Sequence, residues 1–344
     1  MTRWRVWAFA ALPLILATLQ ACSTPEPKVA VVEPAPPAPQ ITLGSRLIEQ
    51  ASAYRTYMDS ASAITPNFSD GASVEVAVQR GAKYETNQLL QGAMAYGALV
   101  ALQTPEFVDG IRSQAASPEQ ARELADRLTT NPYAVLGLTG AQGASLRVTK
   151  ALNDDGQTLY NAGLAVKQSA YDLQKQSWSK DLIAHRETRL ELAKSLSATP
   201  IKGNLGQGDL LAHAALRSTP DLTAPSPNSA PTVRSMTLAA LAVLGRAGDD
   251  NDETVSAIMA DPNVASCLRM SKLNLNQCLA VAGPNYEDIF CLGQHIMMDS
   301  GRCVIKASGM TEPYEAKFIP TVRPIANTTV AQRAPGKKSG KKRG

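Results

Sequence analysis

The chain is poor in the residues that most enzyme chemistry draws on. It holds three histidines, His185, His213 and His295, and none stands in a His-Glu-x-x-His pair or a recognisable triad pattern. The sequence therefore carries no signal for a zincin-type metal site or a serine-type triad. No Cys-x-x-Cys and no Cys-x-x-Cys-His occurs, so neither dithiol exchange nor haem attachment is indicated. Aromatic residues make up 5% of the chain against 44% for all hydrophobic residues. With alanine and leucine abundant and β-branched runs few, this composition favours helices over sheets. Long apolar runs are missing too. Residues 6–19, interrupted at Pro13, give about fourteen apolar positions, against the roughly 20 needed to cross a hydrocarbon core.

What is present begins with an address. Arg3 and Arg5 precede the apolar run and a small residue closes it, the layout of a secretory signal peptide. Its end, Leu19-Gln20-Ala21-Cys22, resembles the lipobox of bacterial lipoprotein precursors: an aliphatic residue, a tolerated one, a small one, then Cys. The resemblance implies a diacylglyceryl group on the Cys22 thiol, cleavage before Cys22 and acylation of its new amine. Residues 1–21 are then the signal peptide. Ser23 follows where an Asp would mark inner-membrane retention, so the resemblance points to the outer membrane, with the body facing the periplasm. Two or three acyl chains anchor firmly where one is marginal, since each buried CH₂ adds about 0.8 kcal/mol. Residues 22–40 form a tether crowded with Pro25, Pro27, Pro34, Pro36, Pro37 and Pro39. Polyproline II at about 3.1 Å per residue holds the body some tens of ångströms above the bilayer.

Charge divides by region. The precursor is formally +4, from 34 basic and 30 acidic residues. Residues 333–344 carry Arg333, Lys337, Lys338, Lys341, Lys342 and Arg343 and no acid. With these six and Arg3 and Arg5 set aside, 26 basic residues face 30 acidic ones, a body formally at −4. Nucleic acid is not an expected partner of such an exported chain. The basic end either meets an anionic surface, such as lipid headgroups or peptidoglycan carboxylates, or serves as a solubilising end.

The pattern predicts an all-α fold: a multi-helix bundle over residues 41–200, a Gly/Pro/Ser-rich loop over 201–231, and a helical, disulfide-containing region over 232–310 packing on the bundle. Residues 311–344 read as an extended, largely disordered basic tail. Leu47, Ala51, Tyr54 and Met58 space a first helix over 41–63. A second starts at Val74 or Ala82 and ends at Leu102; it is apolar almost all round and therefore buried. Ser117, Pro118 and Gln120 make a capping-box helix start. Over 145–196, Leu152, Leu159, Val166 and Leu173 fall seven apart, and Gly156, Gly163, Ala170 and Ser177 fall seven apart between them. One seam position is large and the other small, which permits a close left-handed helix pair, within a bundle or between copies. Asp154-Asp155-Gly156 leaves open one long helix or two. Short apolar helices are expected at 208–216 and 232–248.

Beyond Cys22, four cysteines remain: Cys267, Cys278, Cys291 and Cys303. An even number in an oxidising compartment reads as disulfides. Two similar segments, each Cys-Leu followed about ten residues later by Cys, most simply staple themselves, giving Cys267–Cys278 and Cys291–Cys303. Zinc sites prefer closer spacing, and neither a metal nor a cofactor is expected.

Other motifs are weak. Ser177 and Lys180 form a Ser-x-x-Lys without the Ser-Asp-Asn and Lys-Thr-Gly elements of penicillin-binding enzymes. Residues 203–208 imitate a phosphate loop, yet no Gly-Lys-Ser/Thr follows. The acidic run 249–253 lacks a calcium loop's sixth-position Gly and closing Glu. With no convergent reactive set, the leading expectation is a non-enzymatic scaffold or partner-binding module of the cell envelope, with envelope proteins or peptidoglycan as partners. The alternative is a peptidoglycan-modifying enzyme with a helical, lysozyme-like groove, for which Glu106, Glu119 and Glu287 are the candidate acids. Substituting Cys22→Ala is expected to abolish fatty-acid labelling in cells; a variant that still takes up label and fractionates with membranes refutes the anchor.

Overall fold

A computed structural model describes residues 40–221 and 225–315, with no side-chain description at 262–264. Cys22, the tether up to residue 39 and the tail from residue 316 lie outside the described residues. All described residues fall in one contact unit. Every regular element among them is helical, and the sole β-bridge pairs Leu182 with Pro284.

Local chemistry explains several helix starts. α1 (Ser45–Ser62) buries Leu47, Ala51, Tyr54 and Met58. α2 (Gly71–Ala82) starts at a capping box between Asp70 and Ser73. Of the two starts left open for the second helix, Val74 falls inside α2 and Ala82 lies just ahead of α3 (Thr86–Ala101), which opens where Glu85 takes the N–H groups of Asn87 and Gln88. α3 is buried nearly all round, as its sequence requires. α4 (Pro105–Gln114) and α5 (Pro118–Thr130) follow, the latter with the Ser117–Gln120 capping box in place.

α6 (Ala141–Leu173) is one unbroken helix of 33 residues, so Asp154-Asp155-Gly156 does not interrupt it. It is the spine, about 50 Å long at 1.5 Å per residue. α7 (Ser177–Lys180), α8 (Arg186–Ala198) and α9 (Gln207–Ala215) lead to α10 (Ala230–Val243), which packs on α3. α11 (Asp252–Met259) and α12 (Pro262–Val281) precede a continuous rod: α13 (Asn285–Cys291), a π-helical stretch Leu292–Met298, and α14 (Asp299–Ser308). This rod packs along α6.

Glycine brings α6 and the rod together. A Cβ on Gly156 would lie 2.8 Å from the Gly301 carbonyl oxygen, and one on Gly163 would lie 2.9 Å from that of Gly293. The two helices run antiparallel with their backbones in contact. The large seam residues Leu152, Leu159 and Val166 are buried beside them. Ser177, expected on the same seam, is instead exposed beyond the end of α6.

The four cysteines form two disulfides, but not the expected pairs. The bridges are Cys267–Cys303 and Cys278–Cys291, each with Cα atoms 5.7 Å apart. Cys267 and Cys278 share α12, where eleven residues span about 16 Å of axis. A disulfide tolerates less than about 7 Å between Cα atoms, so neighbours on one helix cannot pair. Eleven residues make three turns, so both thiols leave α12 on one face, toward the antiparallel rod. On the rod the spacing is twelve, from Cys291 to Cys303. A π-helical turn holds one residue more than an α turn, and the stretch Leu292–Met298 between them absorbs the excess. The glycines repeat the offset: Gly156 and Gly163 are seven apart on α6, while their partners Gly301 and Gly293 are eight apart across the same π stretch.

Gly301→Ala would place a methyl 2.8 Å from the Gly156 oxygen and the Tyr160 nitrogen, both backbone atoms that cannot yield. A loss of about 1–3 kcal/mol is expected. Gly208→Ala, with open space around it, should gain up to about 1 kcal/mol. Thermal melting of both variants checks the contrast, and equal melting temperatures refute the close seam.

Candidate functional site

Past the glycines the seam opens. Between the last turn of α6, the end of α12 and α13 lies a groove of about 430 Å³ lined mainly by apolar groups. Its wall includes the Cys278–Cys291 bridge, which ties α12 to α13. Tyr171 and Phe290 meet edge to face across 6.2 Å, and Val281 at the rim is 78% exposed. The Lys167 ammonium lies 5.4 Å from the Phe290 ring centre, at the end nearer the glycine seam. The carboxylate in the lining, Glu287, accepts a 2.6 Å hydrogen bond from the Gly283 N–H and so fastens the turn ahead of α13.

Charged groups elsewhere are gathered into buried cross-ties. Asp155 on α6 accepts from Arg55 Nη1 at 2.7 Å and from Tyr54 Oη at 3.0 Å, and also pairs with Arg217. Arg217 in turn donates to Tyr96 Oη at 3.0 Å. One carboxylate thus joins α1, α6 and the turn after α9. Arg189 on α8 pairs with Asp288 on α13 and donates to the Leu279 carbonyl. Burial pushes the Asp288 carboxyl up to about 6, against the pull of Arg189. Lys272 on α12 donates to the carbonyls of Tyr84 and Ser197 and sits 3.8 Å from the Tyr84 ring centre. Burial lowers its ammonium to about 7, partly offset by the Glu85 charge.

The residues marked by sequence disperse. His185 opens α8 in a left-handed conformation and is exposed. His213 Nδ1 shares a 2.8 Å hydrogen bond with Tyr96 Oη, and burial followed by the Arg55 and Arg217 charges lowers its pKa. His295 Nδ1 lies 2.8 Å from Asp299 Oδ2 on the π stretch. Ser177 and Lys180 are exposed at the two ends of a single turn whose Ser179 is buried. The 203–208 loop lies against α1, where Ser52 Oγ accepts from Leu205 N–H at 2.9 Å. Asp249 reaches back across the chain and accepts from the Ser45 N–H at 2.6 Å, capping α1 rather than its own helix.

Of the candidate acids, Glu106 sits in the exposed first turn of α4. Glu119 is held below its usual range by backbone hydrogen bonding at the start of α5. Glu287 alone of the three reaches the groove. Among the described residues no group of three or more His, Cys, Asp and Glu is placed to hold a metal. Sequence reading passed over the groove aromatics and Arg189. The spacing of Arg189 to Ala193, both buried, was the available signal. Comparison with known protein families, with curated proteins and with solved structures gave no match.

Lys272 gives a pH test. Its folded value of about 7 lies below the model-peptide 10.5, so between these the unfolded chain holds a proton that the folded chain lacks. Its contribution therefore makes stability rise with pH across that window, with the full cost present below about 7. The melting temperature of the wild type relative to Lys272→Met should climb from pH 7 to 10; a difference flat with pH refutes this.

Proposed function

We propose that the protein is a lipid-anchored, periplasm-facing envelope protein that works as a non-enzymatic partner-binding module. The observation that carries this reading is the groove: an apolar, aromatic wall braced by a disulfide, with its lining carboxylate tied to a backbone N–H. Concave apolar surface with a few fixed polar groups favours binding. A lysozyme-like mechanism asks for an acid held high within a groove. The raised carboxyl, Asp288, is enclosed with Arg189 and is not in the groove lining, so the geometry favours binding over glycoside chemistry. The lipobox resemblance supports the address, and the tether length supports reach into the cell-wall layer.

The chemistry of the groove suits an extended apolar segment flanked by a cation that faces Glu287. A photoreactive residue replacing Val281 should capture a discrete envelope protein in intact cells, while the same residue replacing Leu216, 85% exposed on the turn after α9, should not. Equal capture at both sites, or none at 281, refutes a groove-specific partner.

A further inference from the structure

Residues 201–217 strap α9 across α1 and α3, and unlike contacts hold the strap at its ends and in its middle. α9 itself buries Leu210 and Ala214. Ahead of α9 the holds are uncharged. Gln88 on α3 exchanges two hydrogen bonds with the backbone of Ile201, at 2.7 and 2.8 Å. On α1, Thr56 donates to Asn204 Oδ1 at 2.7 Å, and Ser52 Oγ accepts from the Leu205 N–H at 2.9 Å. After α9 the hold is the pair of Arg217 with buried Asp155. A guanidinium keeps its proton, so neither end changes charge near neutral pH. Between them stands His213, partly exposed in the last turn of α9. Its Nδ1 lies 2.8 Å from Tyr96 Oη on α3, and Arg217 Nε donates to the same oxygen at 3.0 Å. Tyr96 Oη accepts from Arg217 and turns its own proton to Nδ1. The middle hold therefore requires a neutral His213 with Nδ1 bare.

The groups facing His213 are Arg55 and Asp59 on α1, Tyr96 on α3, Asp155 on α6, and Arg217. Arg55 pairs with both Asp59 and Asp155, and Arg217 pairs with Asp155. Two cations are thus matched by two carboxylates, and an imidazolium would be a third cation without a counter-ion. It would also turn Nδ1 into a second donor against Tyr96 Oη and strand the tyrosine's proton. We propose that His213 is an acid-released latch: its protonation breaks the bond to Tyr96 and lets α9 lift from α1 and α3 between two ends that stay fastened. The strap then uncovers the apolar side of α9 and the helices beneath it. Asp155 and Ala170 stand about 22 Å apart along α6, so the latch is separate from the groove and does not rest on the binding-module reading. The sign follows from the closed state, where burial and then the Arg55 and Arg217 charges hold His213 below its ordinary 6.5. As pH falls below 6.5, the open strap takes up a proton that the closed strap refuses, so opening grows in acid and is constant above. One proton limits the change to about ten-fold in the opening equilibrium per pH unit.

The test is amide hydrogen exchange of the purified full-length chain from pH 8 to pH 5, corrected for the intrinsic pH dependence of exchange. Protection over 207–215 should hold steady down to about pH 6.5 and then drop by up to about ten-fold per unit, with 141–173 unchanged. His213→Gln keeps an acceptor for Tyr96 and takes up no proton, so its protection over 207–215 should not vary with pH. Lys272 and Asp288 titrate alike in both proteins, so the comparison isolates His213. A titration of the wild-type imidazole by NMR stands apart from the variant's folding and should give a value below 6.5. No acid loss in the wild type, an equal acid loss in His213→Gln, a loss spread evenly over α6, or an imidazole titrating at or above 6.5 each overturns the latch.

Discussion

Contact between two backbones is the constraint the rest of the structure depends on. Gly156 against Gly301 and Gly163 against Gly293 let α6 and the C-terminal rod touch without side chains between them. Such proximity removes tolerance: a one-residue slip brings Cβ atoms where only hydrogens fit. The rod carries an additional residue between its glycines and between its cysteines, and one π-helical stretch takes up both. π insertions recur where function or register demands them; here register is sufficient cause. The groove follows from the same seam, for it opens at Ala170 where the glycine pairs end.

Buried charge then selects which helices are neighbours. Asp155 satisfies arginines from two elements, Arg189 reaches from α8 to α13, and Lys272 holds two carbonyl oxygens. Burying ions costs solvation, and well-packed apolar residues often serve stability as well. What these ties supply is direction: a helix rotated away from its partner would leave a buried charge unmatched. In a core of alanine and leucine, where many packings have similar energy, that requirement is strong.

Periodicity and caps were legible. The seam of α6, the all-apolar α3 and the Ser117 capping box can be read from local spacing, because the physics that forms them is local. Where α3 begins stays open in the sequence between Val74 and Ala82, since it turns on a single carboxylate, Glu85. The disulfide pairing misled for a different reason. Similar segments suggested local staples, whereas helical geometry carries Cys267 and Cys278 three turns apart on one face. Had helices been laid on that region first, the nearly constant sums of 267 with 303 and 278 with 291 would have marked an antiparallel hairpin. The groove needed contacts between residues more than 100 positions apart, which a single sequence does not display.

The nesting of the bridges also orders events in time. Synthesis delivers the chain from its N-terminus, so an oxidant acting on thiols as they arrive meets Cys267 with Cys278 and then Cys291 with Cys303. The finished protein contains neither pair; its bridges are Cys278–Cys291 inside Cys267–Cys303. Once α12 coils, its own thiols are held too far apart to join. Helix formation ahead of oxidation is thus a built-in proofreader, and a chain oxidised while still uncoiled has to be reshuffled before α6 can receive the rod.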